Sequence, residues 1–498
     1  MLNQKTSGFK SLFFSSKETW WLIGFSMIIS GGMLTIPQII TSFVVKGNLE
    51  GMWIIWAGFL GTAFGKAFFA HLWHRVPVKT ENELILYRFS GRGSKILHAF
   101  RSLYVGGIIA PLGLSMVFLA FGRIVSFTLG CSVNAGILFS LGFVVVATFF
   151  NSLRQRLRLD TIYLAILVVS LIVIVYFILI NIGSLNDLQL KINQSNLGYR
   201  LFPQMGSRAF TAFLVFFLVQ WWSASIIDFP NITGQKLMSA GSMNAITRSI
   251  VLPSLMFSVF TLIIISIPLF IILTDITQLT STNGEEAFLQ IFLHAIPKQY
   301  HFVVLIFFLL PFVAATNNTQ NWSGSLLIQN FYIYYINKKT SEKKLKRMGI
   351  ATMLAIAILA AFLALANQSM LDIIKFMFAI TAGVGPVFIL RWYWHRINAW
   401  SQLSAMVASL LYPNLMDLAY ARIDVVTATI NSAMNLLNLD YYPFKIVVLT
   451  IVVCLSWILV TFITKPTDGE TIQRFAQTVK PGGIWKLPNI GSINFWKR

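Results

Sequence analysis

The sequence predicts an all-α, polytopic membrane protein of about twelve transmembrane helices. Of its 498 residues, 56% are hydrophobic and only 11% are charged, and the mean hydropathy is +0.72. The apolar residues come in repeated runs longer than ~18 residues, the length a helix needs to cross hydrocarbon. Its 43 Phe and 14 Trp suit the same class, since aromatic rings fill lipid-facing surface and gather at both interfaces. A formal charge of +21 would suggest nucleic acid in a soluble chain. Here the basic residues cluster in short loops between apolar runs, so the positive-inside rule accounts for them and no nucleic-acid partner is expected. Cys131 and Cys454 lie far apart, in or beside apolar segments, which argues against a disulfide framework or a metal site.

Lys5, Lys10 and Lys17 precede the first span, and no short apolar core with a small-residue cleavage site marks a secretory signal. Residues 1–19 are therefore read as a cytoplasmic tail. The first span, 20–45, contains Gly31, Gly32 and Pro37. These predict an unwound stretch near 30–34, because glycine lowers helix propensity and proline removes a backbone donor. Residues 52–73 return inward, a basic and partly amphipathic cytoplasmic segment covers 74–95, and a long span runs on to residue 127. Residues 134–150 come back in, and Arg154, Arg156 and Arg158 mark the next loop as cytoplasmic. Residues 161–182 go out, and 186–206 form a polar external loop.

Residues 209–227 and 250–273 follow, the former exiting through Asp228, Pro230 and Gly234, and an external loop holds Asp275, Glu285 and Glu286. The span over 302–335 leads to Lys338, Lys339, Lys343, Lys344, Lys346 and Arg347, the strongest cytoplasmic signal in the chain. Residues 350–366, 373–390, 401–418 and 446–463 complete the bundle. The organisation is thus a first five-helix half over 20–182, an external loop over 183–208 and a second five-helix half over 209–394. Additional helices over 395–464 and a cytoplasmic tail over 465–498 follow. Each half opens with a helix interrupted by glycine or proline. Transporters with inverted repeats show this pattern, because an unwound helix presents backbone carbonyls and half-helix ends to a solute or ion near the midplane.

The most informative segment is Thr316-Asn317-Asn318-Thr319-Gln320-Asn321-Trp322-Ser323-Gly324-Ser325, a mostly polar block inside the apolar 302–335 run. Hydrocarbon offers no water to amides and hydroxyls, so such a block must face other helices, a ligand or a water-filled cavity. Hydrogen bonding between packed helices is the plainer role for it. Ala314, Asn317, Asn318, Asn321 and Ser325 recur at three- and four-residue spacing and share one face, as cavity-lining residues would.

At Leu390-Arg391-Trp392-Tyr393-Trp394-His395-Arg396-Ile397-Asn398-Ala399-Trp400-Ser401-Gln402 the chain resembles the solute:sodium symporter family, especially a bacterial branch. Trp20 to Met27, Phe69 to Arg75, Gln220-Trp221-Trp222 and Asn321-Trp322 resemble further family segments, in the family's order. The resemblance implies a leucine-transporter-like fold of inverted repeats. It also implies alternating access and uptake of a small solute driven by sodium entry, in the cytoplasmic (inner) membrane of a bacterium. In that setting the chain is multi-pass, surrounded by the lipid bilayer, with both termini cytoplasmic.

Sodium is the one ion the resemblance implies, and no other cofactor is expected. As a hard cation it needs several oxygen ligands, which the family takes from the broken first helix and from paired hydroxyls on the eighth. Alignment on Asn321-Trp322 and Asn330-Phe331-Tyr332 puts Ala314 and Ala315 at the hydroxyl pair, and Thr35 falls where the branch carries a carboxylate. Asp160 keeps the family's acidic position. Any sodium site is therefore expected to be weak, or displaced toward Asn317 and Asn318.

The expected pocket comprises Ser30, Gly31, Gly32, Thr35 and Gln38 from the broken helix, Gln220, Trp221 and Trp222 from the sixth, and Ala314, Ala315, Thr316, Asn317, Asn318 and Asn321 from the eighth. For Trp221 and Trp222 ordinary packing is an equal alternative. Two function classes stay open at this point. One is a solute transporter with a degenerate sodium site. The other is a non-coupled scaffold, sensor or subunit of a membrane complex, which would bring a membrane-protein partner. An enzyme is not indicated: the six histidines form no ligand-spaced cluster, and no nucleophile triad or phosphate loop is present. Lys66 and Lys375, inside or beside apolar runs, either snorkel toward an interface or supply a buried ammonium at the cation site.

Overall fold

Apolar runs in hydrocarbon must satisfy their own backbone amides, and helices do this within one segment. The computed structural model describes residues 18–46, 48–78, 80–148, 153–182, 186, 200–224, 232–253, 255, 284–481, 484–487 and 491–494. These residues are helical nearly throughout. The exception among them is a hairpin near the C-terminus, in which Ile484–Leu487 pairs antiparallel with Gly491–Asn494. Five helices among the described residues are long and apolar enough to cross a bilayer: Gly91–Leu129, Leu153–Phe177, Lys298–Ile336, Glu342–Ala366 and Tyr441–Ile463. Trp20–Ser30 and Thr35–Val45 pass the same test together and are bent by 45°. Most of the span expected over 250–273 lies outside the described residues.

The bend falls where the glycines stand. Gly31 closes Trp20–Ser30 at φ −87° and ψ 30°, and Gly32 takes φ +99°, a left-handed value that costs a Cβ-bearing residue about 1–2 kcal/mol. Helix resumes at Thr35 with Pro37 in its first turn, where a missing N–H breaks no intrahelical bond. A Cβ on Gly32 would also lie 2.7 Å from Ile36 Cδ1. Gly32→Ala is therefore expected to lower stability by about 1–2 kcal/mol, read from thermal unfolding in detergent; an unchanged midpoint would show that the break does not depend on glycine.

Packing divides the chain into two units, each drawing on both halves of the sequence. The first comprises Met1–Met52, Val105–Leu201 and Ser239–Ile373. Within it, Leu153–Ile182 packs against both Trp20–Ser30 and His301–Gly324. Ala110–Leu129 contributes Phe121, stacked on Phe312 at 4.3 Å, and Phe118, edge-on to the same ring. The arginine run read as a loop is instead the first turns of Leu153–Ile182. Arg154 points outward to Glu18 and Arg156 is buried, because alternate residues fall on opposite sides of a helix. Glu285 and Glu286, also placed in a loop by charge alone, open the helix Gly284–Ala295. Glu285 is buried there against Arg123.

The second unit comprises Trp53–Tyr104, Phe202–Met238 and Ile374–Arg498. The long motif at residues 390–402 forms a packed corner of it. Asn398 caps Ala399–Arg422, its side chain accepting from Trp400 N at 2.9 Å and Ser401 N at 3.1 Å. Trp392 is fully buried edge-on to Trp73, and Arg88 Nε donates to the Arg391 carbonyl at 2.9 Å. The tail helix Gly469–Val479 seats Phe475 against Trp392 and Tyr87. Two helices occupy 399–437, Ala399–Arg422 and Asp424–Leu437, where the sequence indicated one span ending near 418. The second has no buried residue, and its mixed polar and apolar composition carries no hydropathy signal. The span expected over 373–390 is interrupted between Met370–Ala379 and Gly385–Tyr393.

Candidate functional site

In the first unit, three helices converge on one buried carboxylate. Asp160, on Leu153–Ile182, accepts from Ser26 Oγ of the first helix and, at 3.0 Å, from Asn318 Nδ2 of the eighth. Asn318 Nδ2 also donates to the Ala314 carbonyl at 2.8 Å, so a single amide ties the carboxylate to the alanine turn. One turn before Asp160 on the same helix, Arg156 sends Nη1 to the Asn317 carbonyl at 3.2 Å. Ser26, Arg156, Asp160 and Asn318 are all buried. Residues four apart on a helix share a face, which aims Arg156 and Asp160 in the same direction.

The other expected residues of this unit surround the helix break and the polar block. Ser30 Oγ donates to the Ser26 carbonyl at 2.6 Å, just before Gly31 and Gly32. Thr35 is buried at the restart of the helix. Gln38 is fully buried, with Nε2 donating to Ala120 O at 3.2 Å and Leu34 O at 3.4 Å, while Oε1 has no hydrogen-bond partner. On the eighth helix Ala314, Ala315, Thr316, Asn317 and Asn321 are all buried, and Thr316 Oγ1 has no partner. Part of the polar block does bind helix to helix. Gln320 donates to Met353 O at 2.8 Å and accepts from Thr148 Oγ1 at 3.4 Å, and Ser323 donates to Gly106 O.

Gln220, Trp221 and Trp222 belong to the second unit and are held there by bonds of their own. Gln220 Nε2 donates to Ile54 O at 2.8 Å, and its Oε1 accepts from the Tyr442 hydroxyl at 3.0 Å. Trp222 Nε1 donates to Ala382 O at 2.7 Å, in the interruption that precedes Gly385–Tyr393, and Trp221 Nε1 donates to Leu218 O at 3.1 Å. Lys375 places its ammonium 5.6 Å from the Tyr442 ring, an aromatic partner rather than a carboxylate. The side chain of Lys66 lies outside the described residues.

Sodium needs several converging oxygens. Ala314 and Ala315 have none in their side chains, and the Ala314 carbonyl already accepts from Asn318. The Asp160 carboxylate already accepts from Ser26 and Asn318. The residues present do not fit a sodium site of the paired-hydroxyl kind. Ser26, Arg156 and Asp160 are the residues the sequence reading left out of the pocket, although Asp160 was noted as keeping the family's acidic position. Arg156 carried a signal, four-residue spacing to Asp160, hidden by its place in a run of basic residues that charge alone assigns to a loop.

The sequence profile of the sodium:solute symporter family matches residues 19–409. Two Bacillus subtilis (strain 168) proteins are similar over shorter stretches. The osmoregulated proline transporter OpuE is 32% identical over 87 residues, 17% of this chain and 18% of OpuE. The high-affinity proline transporter PutP is 26% identical over 160 residues, 30% of this chain and 34% of PutP. The chain thus aligns with well under half the length of either relative. Among solved structures, a Na+-coupled sialic acid symporter in a substrate-bound outward-open state superposes with a TM-score of 0.69 at 12% identity, covering 93% of this chain and 94% of that one. Mhp1, a nucleobase-cation-symport-1 family transporter, in a closed conformation with bromovinylhydantoin bound, gives 0.52 at 14% identity, covering 96% and 99%. At these identities the likeness establishes a shared fold, the leucine-transporter-like one, and the neighbours are transporters rather than enzymes.

Proposed function

Because the chain belongs to the sodium:solute symporter family, we propose that it is a secondary transporter, moving a small solute across the cytoplasmic membrane of a bacterium by alternating access, with a degenerate sodium site. The observation that carries this reading is the interrupted first helix. At residues 31–34 a chain at membrane depth leaves helical bonding, which is tolerated where the backbone meets protein or lines a cavity and is the usual place for solute binding in such folds. Gln38 Oε1 and Thr316 Oγ1 retain unmet bonding capacity in the same unit. They are the first groups to test for solute contact.

Proline, the solute named for both Bacillus relatives, heads the panel of solutes. Purified protein in proteoliposomes is expected to give saturable uptake of proline or another small solute, with Gln38→Leu and Thr316→Val raising the apparent KM. Absence of saturable flux for every solute under sodium, proton and solute gradients would overturn the reading. The scaffold or sensor alternative, favoured by Ala314, Ala315 and Thr35, would then stand.

Both termini and the turn carrying Lys338 and Lys339 are placed in the cytoplasm by loop charge. A single cysteine at position 339, in a chain with Cys131 and Cys454 replaced by serine, is expected to react with an impermeant maleimide only after the cells are permeabilised. Prompt labelling of intact cells would invert the topology.

A further inference from the structure

We propose that the basic segment over 338–347 is a binding surface for anionic phospholipid headgroups, held against the start of Glu342–Ala366. The inference goes beyond the transporter reading and stands whether or not the chain moves a solute. Only the leaflet, the inner one, follows from the topology given above.

Lys338, Lys339, Lys343, Lys344, Lys346 and Arg347 are all exposed, and Glu342 is the one acidic residue among them. Six positive charges and one negative leave a net +5 over ten residues. Arg123, Arg154 and Lys445 are neutralised within the fold by Glu285, Glu18 and Asp417. Among the described residues, none of the six forms a salt bridge. Their counter-charge therefore comes from outside this part of the chain.

The segment sits where hydrocarbon ends. Lys298–Ile336 and Glu342–Ala366 are both long and apolar enough to cross the bilayer, and residues 337–341 alone separate them. Ile336 is 61% exposed, and Lys338 places its ammonium 5.3 Å from the Tyr334 ring, an aromatic of the kind that collects at the membrane surface. Leu345 is buried with Ile328 and Met353, which turns Lys343, Lys344, Lys346 and Arg347 away from the protein. From Glu342 to Arg347 the helix rises about 7.5 Å, roughly the depth of one headgroup layer. Lys343 and Lys344 also stand in the first turn, where the helix dipole disfavours cations. A lipid phosphate offsets both that conflict and the repulsion among the basic side chains. Setting topology needs only a bias of positive charge during insertion and makes no demand on the folded chain. A lipid-binding surface instead gives the folded chain a headgroup-selective stability that salt removes.

The test reads thermal unfolding of the purified full chain in neutral-detergent micelles carrying phosphatidylglycerol or phosphatidylcholine with the same acyl chains, at low and at high salt. Wild type is expected to unfold at a higher midpoint with phosphatidylglycerol, and the difference should vanish at high salt. In native mass spectrometry wild type should retain phosphatidylglycerol over phosphatidylcholine. Lys343→Gln, Lys344→Gln, Lys346→Gln and Arg347→Gln together should cut that preference at least roughly fivefold, the factor expected from losing even one surface cation. A wild type indifferent to the headgroup overturns the proposal, as does a quadruple variant that keeps the full preference. If inorganic phosphate alone reproduces the rise in midpoint, the segment is a site for a free anion and the proposal falls. Should the quadruple variant not fold, Lys338→Gln with Lys339→Gln, outside the helix, decides by the same ratio, and an unchanged preference contradicts the proposal. A chain with no flux for any solute refutes the transporter reading alone, since neither lipid measurement depends on flux.

Discussion

Arg123→Met is expected to destabilise the folded chain by about 3–5 kcal/mol, the range for breaking a buried ion pair from one side. Arg123 bonds Glu285 through Nη1 and the Gln368 carbonyl through Nη2, and its Nε lies 3.9 Å from Glu286. Glu285 in turn accepts the backbone N–H groups of Met370 at 3.2 Å and Leu371 at 3.1 Å, at the start of Met370–Ala379. One carboxylate thus caps a helix and neutralises a buried guanidinium. Removing the arginine strands a buried negative charge, whereas Arg123→Met with Glu285→Gln removes both charges and should recover most of the loss. The measurement is a double-mutant cycle on thermal unfolding in detergent. A single variant within about 0.5 kcal/mol of wild type would mean that water reaches the pair and screens it.

Gly136→Leu is expected to abolish the folded, monodisperse protein. A Cβ at Gly136 would sit 2.1 Å from the Gly122 carbonyl oxygen and 3.0 Å from its carbon, and one at Gly122 would sit 2.5 Å from Ile137 Cγ1. Ala110–Leu129 and Val133–Thr148 therefore meet backbone to backbone at these two glycines, the close approach that small residues allow between membrane helices. Backbone cannot rotate away as a side chain can, so even Gly136→Ala must push the helices apart, at about 1–3 kcal/mol or more. Gly142, on the same helix with nothing within 4 Å of its would-be Cβ, is the control. Size-exclusion profiles in which Gly136→Ala matches Gly142→Ala would sink the argument.

The glycines show how far the sequence reading reaches. Gly31 and Gly32 were legible because two adjacent glycines followed by Pro37 interrupt a helix wherever it is packed. Gly122 and Gly136 were not, since a glycine in a membrane helix carries no mark of which neighbour it touches. The motif at residues 390–402 identified the family, yet its arginine, tryptophan and asparagine serve a packed corner and a helix cap. The polar block on the eighth helix was visible at once, but its division between helix-to-helix bonds at Gln320 and Ser323 and the Asp160 centre at Asn318 was not.

By itself, the sequence determined an all-helical membrane chain, its family and the break in its first helix. These rest on hydrophobicity, run length and local backbone preference, which act along the chain and need no partner. The tertiary structure alone decided that Arg156 is buried and bonded to the Asn317 carbonyl, that Glu285 is a buried partner rather than a loop residue, and that Gln220 is bonded at both ends. Each depends on which helix faces meet within a unit. A charge near a span end reads the same in one dimension whether it snorkels or turns inward, and only the packed neighbours determine its environment.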